Sequence, residues 1–161
     1  MDLEAVSAIE RVKYRYARTL DTKEWAEFAD TLTPEATAVY GEHLSFESRD
    51  AFVGFLANTL GAHVVTEHHC SHPEIDLAPD GQSATGGVWL LADTVVVPED
   101  GMLLRGSAYY HDRYVRCEDG KWRIAHTSYE RNWETVVSLD DLPSFRLTSN
   151  RWDLLEVPRA S

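Results

Sequence analysis

An α+β fold is what this 161-residue chain predicts. Apolar residues recur at helical spacing through the first part of the chain, β-rich runs replace them after Gly61, and Asp, Gly and Pro turn signals separate those runs. Helices covering one face of a strongly bent antiparallel sheet are the arrangement such an order favours. The length fits one domain over 1–161, with no internal repeat, and suffices to bury a core without disulfide or metal support.

Residues 3–20 place Val6, Ile9, Val12, Tyr16, Ala17 and Leu20 on one helix face. A second, short helix carries Trp25, Phe28, Ala29 and Leu32 and stops at Thr33-Pro34, because a residue before proline avoids helical geometry. Asp21 therefore falls between two helices, where a side chain can point along a helix end into a cavity. Ala36 to Tyr40 reads as a short strand. Ser48 is placed to cap a third helix with Phe52, Phe55, Leu56 and Leu60 on its apolar side. Four β-rich stretches follow, over 63–77, 83–97, 103–117 and 122–134. Pro79-Asp80-Gly81, Pro98-Glu99-Asp100-Gly101 and Glu118-Asp119-Gly120 link them as hairpins. Residues 135–161 are irregular but carry Phe145, Leu147 and Trp152. They read as a strap over a pocket mouth, a contact for another subunit, or a segment completing the monomer's core.

The composition, 43% apolar with five Trp, seven Tyr and five Phe, can fill a core or line a pocket for a flat apolar ligand. A formal net charge of −12 argues against nucleic-acid and anionic-membrane partners, both of which need clustered Lys and Arg. The N-terminus reads as a charged helix rather than a signal peptide, and no apolar run reaches membrane-spanning length. The expected location is the cytoplasm. Cys70 and Cys117 are expected as reduced, partly buried thiols.

Tyr16, Asp21 and His68 form the strongest chemical pattern. A carboxylate that orients an imidazole, with a phenol beside it, supplies acid/base chemistry without metal or cofactor. No phosphate-cradling glycine loop or nucleophile elbow competes with it. His63, His68, His69 and His72 suggest a metal site only on a helix. On a strand His68 and His72 stand about 13 Å apart, too far for one ion, so no metal is expected. Strand parity instead puts Thr66, His68, Cys70 and His72 on one face unless a bulge intervenes. Cys70 is then a neighbour of His68 along a strand, not a facing nucleophile. Asp93 lies in a run apolar on both faces, where a carboxylate needs an arginine partner or stays protonated. Arg131, on the parity of Tyr129 and Trp133, either stacks on those rings or counters negative charge.

The stretches IERVKYRYARTLDTKEWAEF, EHHCSHPEIDLAPDGQSATG and YYHDRYVRCEDGKWRIAHTSYERNW resemble the SnoaL-like branch of the nuclear transport factor 2 superfamily, over about residues 5–153. Within that branch the nearest likeness is to bile-acid 7α-dehydratases; scytalone dehydratases and hexachlorocyclohexane dehydrochlorinases are more distant. The resemblance implies a cone, in which a curved mixed sheet wraps an apolar cavity with three helices at its side. It also implies a homo-oligomer, commonly a dimer or trimer. By position it assigns catalytic roles to Tyr16, Asp21, His68, Asp93 and Arg131. One additional residue between Ala84-Thr85-Gly86 and Asp93 requires a bulge if Asp93 is to face inward, and Ser71 stands where those dehydratases have another histidine. Trp25, Tyr40, Trp89 and Tyr129 are the expected substrate-binding rings.

The expected activity is cofactor-independent loss of water from a hydrophobic polycyclic carbonyl compound of steroid or polyketide type. Isomerisation or cyclisation by the same proton abstraction is the alternative. A non-catalytic small-molecule carrier is the alternative from a different class.

Overall fold

The computed structural model describes residues 2–41 and 43–154, without the side chains of Asp153 and Leu154. Helix α1 spans Leu3–Asp21, α2 Trp25–Asp30 and α3 Arg49–Thr59. Six strands follow the order β1 Leu32–Tyr40, β2 Leu44–Phe46, β3 Val65–Glu74, β4 Ser83–Val97, β5 Met102–Arg116 and β6 Trp122–Ser138. Asp2 caps α1 by accepting from the amides of Glu4 and Ala5, and Ser48 caps α3 by accepting from Ala51. Such caps each stabilise a helix by about 1 kcal/mol.

One sheet runs β2-β1-β6-β5-β4-β3. Every neighbouring pair is antiparallel except β1 and β6, which are parallel. The β3–β4–β5–β6 meander follows the hairpin expectation, and Gly81, Gly101 and Gly120 take the positive φ its turns require. The parallel pair makes the sheet mixed, which the turn pattern alone does not indicate. Register shifts lie between Ser71 and Glu74, between Ala84 and Gly87, and between Ser107 and Ala108. Bulges of this kind bend and twist a sheet. They let its concave face receive Ile9, Tyr16 and Leu20 of α1, Phe28 of α2, and Phe52 and Leu56 of α3.

Several boundaries differ from expectation. Leu32 begins β1 rather than ending α2, and it pairs with Ile124 before Pro34 is reached. The proline ends helical geometry, and the residues before it are already extended. β2 is an unexpected strand of three residues, too short for an alternation signal. The last strand continues to Ser138. Beyond it the described chain forms short 3-10 turns at Leu139–Asp141 and Arg151–Leu154. No side chain from Leu139 to Trp152 is buried, and residues 155–161 lie outside the described region.

The buried stripe of α1 is also rotated from the expected one. Lys13 is fully buried while Val6 and Val12 are only half-buried. Its ammonium lies 2.7 Å from Oδ2 of Asp112 on β5, and both side chains are wholly inaccessible. Asp112 also accepts from the Tyr114 hydroxyl, which in turn accepts from the Trp89 indole. An ionic partner on the sheet thus brings a lysine onto the apolar side of the helix. Among the described residues, no helix is long and apolar enough to cross a membrane.

Candidate active site

Asp21 is the last residue of α1, where the helix's partial negative charge disfavours a carboxylate. Three donors offset that penalty. Asp21 Oδ1 accepts from Thr66 Oγ1 at 2.8 Å and from His68 Nδ1 at 2.6 Å, and Oδ2 accepts from the His68 amide at 2.8 Å. A carboxylate only accepts, so Nδ1 of His68 must carry the shared proton and Nε2 is left as the basic nitrogen. β3 runs past the end of α1, which is how residues 47 apart in sequence meet.

His68 pairs across the sheet with Asp93, and Asp93 with Gly106. Asp93 is buried and points inward, because the bulge between Ala84 and Gly87 absorbs one residue of β4. Arg131 grips it with two parallel bonds, Nη1 to Oδ1 at 2.6 Å and Nη2 to Oδ2 at 2.8 Å. That fork raises the already high proton affinity of the guanidinium, against the opposing effect of burial. Glu134 adds a carboxylate 3.1 Å from Nε, and the Tyr129 ring lies 5.2 Å away. Of the two rings expected beside Arg131, Tyr129 is in contact, and the negative charge beside the guanidinium is that of Asp93 and Glu134.

Gly106 makes this fork possible. A Cβ built there would lie 2.5 Å from Arg131 Nη1 and 3.1 Å from Asp93 Oδ1. Gly106→Ala is therefore expected to displace the guanidinium and lower turnover by an order of magnitude or more, since misplacement of about 1 Å can cost 10²-fold. Steady-state kinetics with a circular-dichroism control checks this; wild-type turnover would show that the fork is not needed.

A cavity of about 210 Å³ opens beside these groups. Leu20, Leu44, Phe55, Leu56, Leu60, Leu91 and Val95 supply its apolar wall, and His68, Asp93, Arg131, Tyr40, Tyr110 and Tyr129 its polar one. Three larger depressions, along α1, at the β1–β6 rim and beside His111 and His126, include neither His68 nor Asp93. Burial pushes the Tyr40 and Tyr110 phenols well above their ordinary range and raises Tyr129. These hydroxyls therefore serve as donors, not bases. Burial likewise raises the Cys70 thiol, which opposes a thiolate nucleophile.

The expected site residues divide into two groups. Asp21 and His68, Asp93 and Arg131, and the rings of Tyr40 and Tyr129 gather at or beside the cavity. Tyr16 stands behind it: its hydroxyl is 2.6 Å from that of Tyr40, and burial raises its pKa well above the usual value. Trp25 packs edge-on against Phe28, away from the cavity lining. Trp89 is fully buried and does not line the cavity; its N–H donates to the Tyr114 oxygen. His72 leaves the parity of His68 through the bulge, with a φ of 51°. Among the described residues no three His, Cys, Asp or Glu side chains converge as a metal site. Thr66, Lys23 and Gly106 were not singled out from sequence. Thr66 alone left a signal, its shared parity with His68.

A family model described as a SnoaL-like domain matches residues 1–128. A provisionally assigned scytalone dehydratase from Novosphingobium aromaticivorans DSM 12444 superposes with a TM-score of 0.76 at 21% identity, covering 83% of this chain and 88% of that one. A type 2 hexachlorocyclohexane dehydrochlorinase, LinA, gives 0.76 at 14% identity over 84% and 90%. ActVI-ORFA of Streptomyces coelicolor gives 0.67 at 18% identity over 79% and 96%. At these identities the likeness is one of fold.

Proposed function

The chain belongs to the SnoaL-like domain family, and we propose that it is a cofactor-independent hydro-lyase acting on a hydrophobic carbonyl compound. The observation that carries this reading is the 2.6 Å contact of Asp21 with His68 Nδ1 at the edge of an apolar cavity. A carrier needs the cavity but not an oriented base. The neighbours named as a scytalone dehydratase and a dehydrochlorinase support elimination.

In this mechanism Nε2 of His68 removes the proton next to the carbonyl, and Asp21 stabilises the imidazolium that forms. The Tyr40 hydroxyl donates to the developing enolate oxygen, and Tyr16 holds that hydroxyl in place from behind. The Asp93–Arg131 pair presents the remaining guanidinium N–H groups where the leaving hydroxide departs. The imidazolium then returns its proton to that hydroxide as water.

A cavity of about 210 Å³ lies below the roughly 300–1,000 Å³ of sites that enclose drug-sized ligands. One or two rings of a steroid- or polyketide-like substrate therefore enter, and the rest lies across the mouth. Val39, Tyr109 and Trp133, exposed on the outer sheet face, support the homo-oligomer that the family resemblance implies.

Incubation with hydroxylated cyclic ketones, followed by mass spectrometry and ultraviolet absorbance, tests the reading. Loss of one water with a new conjugated chromophore is the expected result. A product of unchanged mass would identify isomerisation instead, and binding without turnover would identify a carrier. Tyr40→Phe is expected to lower kcat by about 10²–10³, the range for loss of one such donor. Tyr16→Phe, one bond further back, should lower it less. Equal rates in the wild type and Tyr40→Phe would remove the phenol from the mechanism.

A further inference from the structure

α1 ends in a two-bond turn: the Lys23 amide donates to the Leu20 carbonyl at 3.2 Å and the Glu24 amide to the Thr19 carbonyl at 2.9 Å. This closure puts the residue after the cap in left-handed geometry, a position that glycine normally takes. Here it is Lys23, with a φ of 58°. A side chain with a Cβ is strained there, a cost that a cation at the negative end of the helix offsets only in part. What the lysine does gain is a contact: its Nζ lies 3.2 Å from Thr66 Oγ1, the hydroxyl that donates to Asp21.

We propose that Lys23 is a positioning residue for the Asp21–His68 pair, its ammonium donating to Thr66 and thereby committing the Thr66 proton to the Asp21 carboxylate. An ammonium has no lone pair, so while Lys23 is charged the Thr66 hydroxyl can only accept from it and must donate elsewhere. A neutral amine can accept. The hydroxyl then turns toward Nζ, and Asp21 loses one of the three donors that fix its carboxylate against His68.

Burial pulls Lys23 down to about 8, with Asp21 opposing, so this change falls within reach of an ordinary titration. The other charged groups around it are accounted for. Glu24 on the same turn is engaged by Arg18 and Thr22. Cys70 on β3 is a neutral thiol, Lys13 and Asp112 pair with one another, and Arg131 from β6 neutralises Asp93 from β4. The coupling stands on this geometry, while its effect on rate rests on the elimination reading.

Nitrogen-15 NMR of the His68 ring, from about pH 5 to about 10, spans the titrations of imidazole and of a depressed lysine. Loss of signal in His68→Ala assigns the resonance. In the wild type the Nδ1 shift is expected to show a second inflection near pH 8, the value that burial gives Lys23. Lys23→Gly should lack that inflection while melting at or above the wild-type temperature, because glycine accepts the left-handed turn. Lys23→Arg should also lack the inflection near pH 8, its guanidinium remaining charged. In turnover, Lys23→Gly should lose several-fold in kcat at constant KM, and Lys23→Arg should restore it. A Lys23→Gly protein whose His68 titrates as in the wild type overturns the proposal. The NMR result stands whether or not the chain proves to be a lyase, so the two readings fail separately.

Discussion

His68→Ala is expected to reduce kcat by about 10²–10⁴, the usual contribution of a positioned general base, while leaving the fold intact. The ring is half-buried at the cavity edge rather than within the packed core, so its removal opens space without stripping contacts from a tight interior. Asp21→Asn is the sharper companion. An asparagine amide can turn its N–H₂ toward Nδ1, which then accepts, and the ring proton moves to Nε2. The base is lost although its geometry is kept, and such tautomer inversion is worth about 10⁴ in a Ser-His-Asp enzyme. The same substitution removes a carboxylate from the negative end of α1, so the melting temperature should hold or rise. Activity lost at undiminished stability separates a chemical role from a structural one. Full turnover in both variants would end the elimination reading.

Lys13→Met carries the largest expected effect on stability. It leaves Asp112 without its cation at a place no water reaches. Removing one member of a buried pair costs about 3–5 kcal/mol, which for a chain of this size lowers Tm by roughly 6–20 °C. Calorimetry measures it. The double variant Lys13→Met with Asp112→Asn should recover most of the loss. The stranded charge is then gone, and an amide oxygen still accepts from Tyr114. If Lys13→Met melted with the wild type, the pair would contribute nothing and the burial of Lys13 would need another cause.

Lys13 also shows where pattern reading reaches its limit. The apolar stripe read from Ile9, Val12 and Tyr16 passes beside position 13 and leaves its lysine out. A lysine is expected at the surface unless paired, and its partner lies 99 positions downstream on a strand of the sheet. Asp93 was easier. A carboxylate in a doubly apolar run needs a partner, and an arginine was among the expected answers. Gly106 gave no such warning. Its meaning comes from the guanidinium lying against it, and nothing near it in the chain describes that guanidinium. The rings sorted in the same way: Trp89 was expected against the substrate, but its burial against Tyr114 keeps it out of the cavity lining.

Local physics written into the chain was enough for the helices, the turns, the meander and the α+β class. Caps, apolar periodicity and left-handed glycines act over a few residues and are visible in order along the sequence. The pairing of Asp21 with His68 was legible only as a shared pattern. Its realisation as hydrogen bonds depends on β3 crossing the end of α1, just as the parallel β1–β6 contact and the Asp93–Arg131 fork depend on how a bulged sheet closes around the helices. Those outcomes were decided in three dimensions, because they set distances between groups whose separation along the chain carries no local signal.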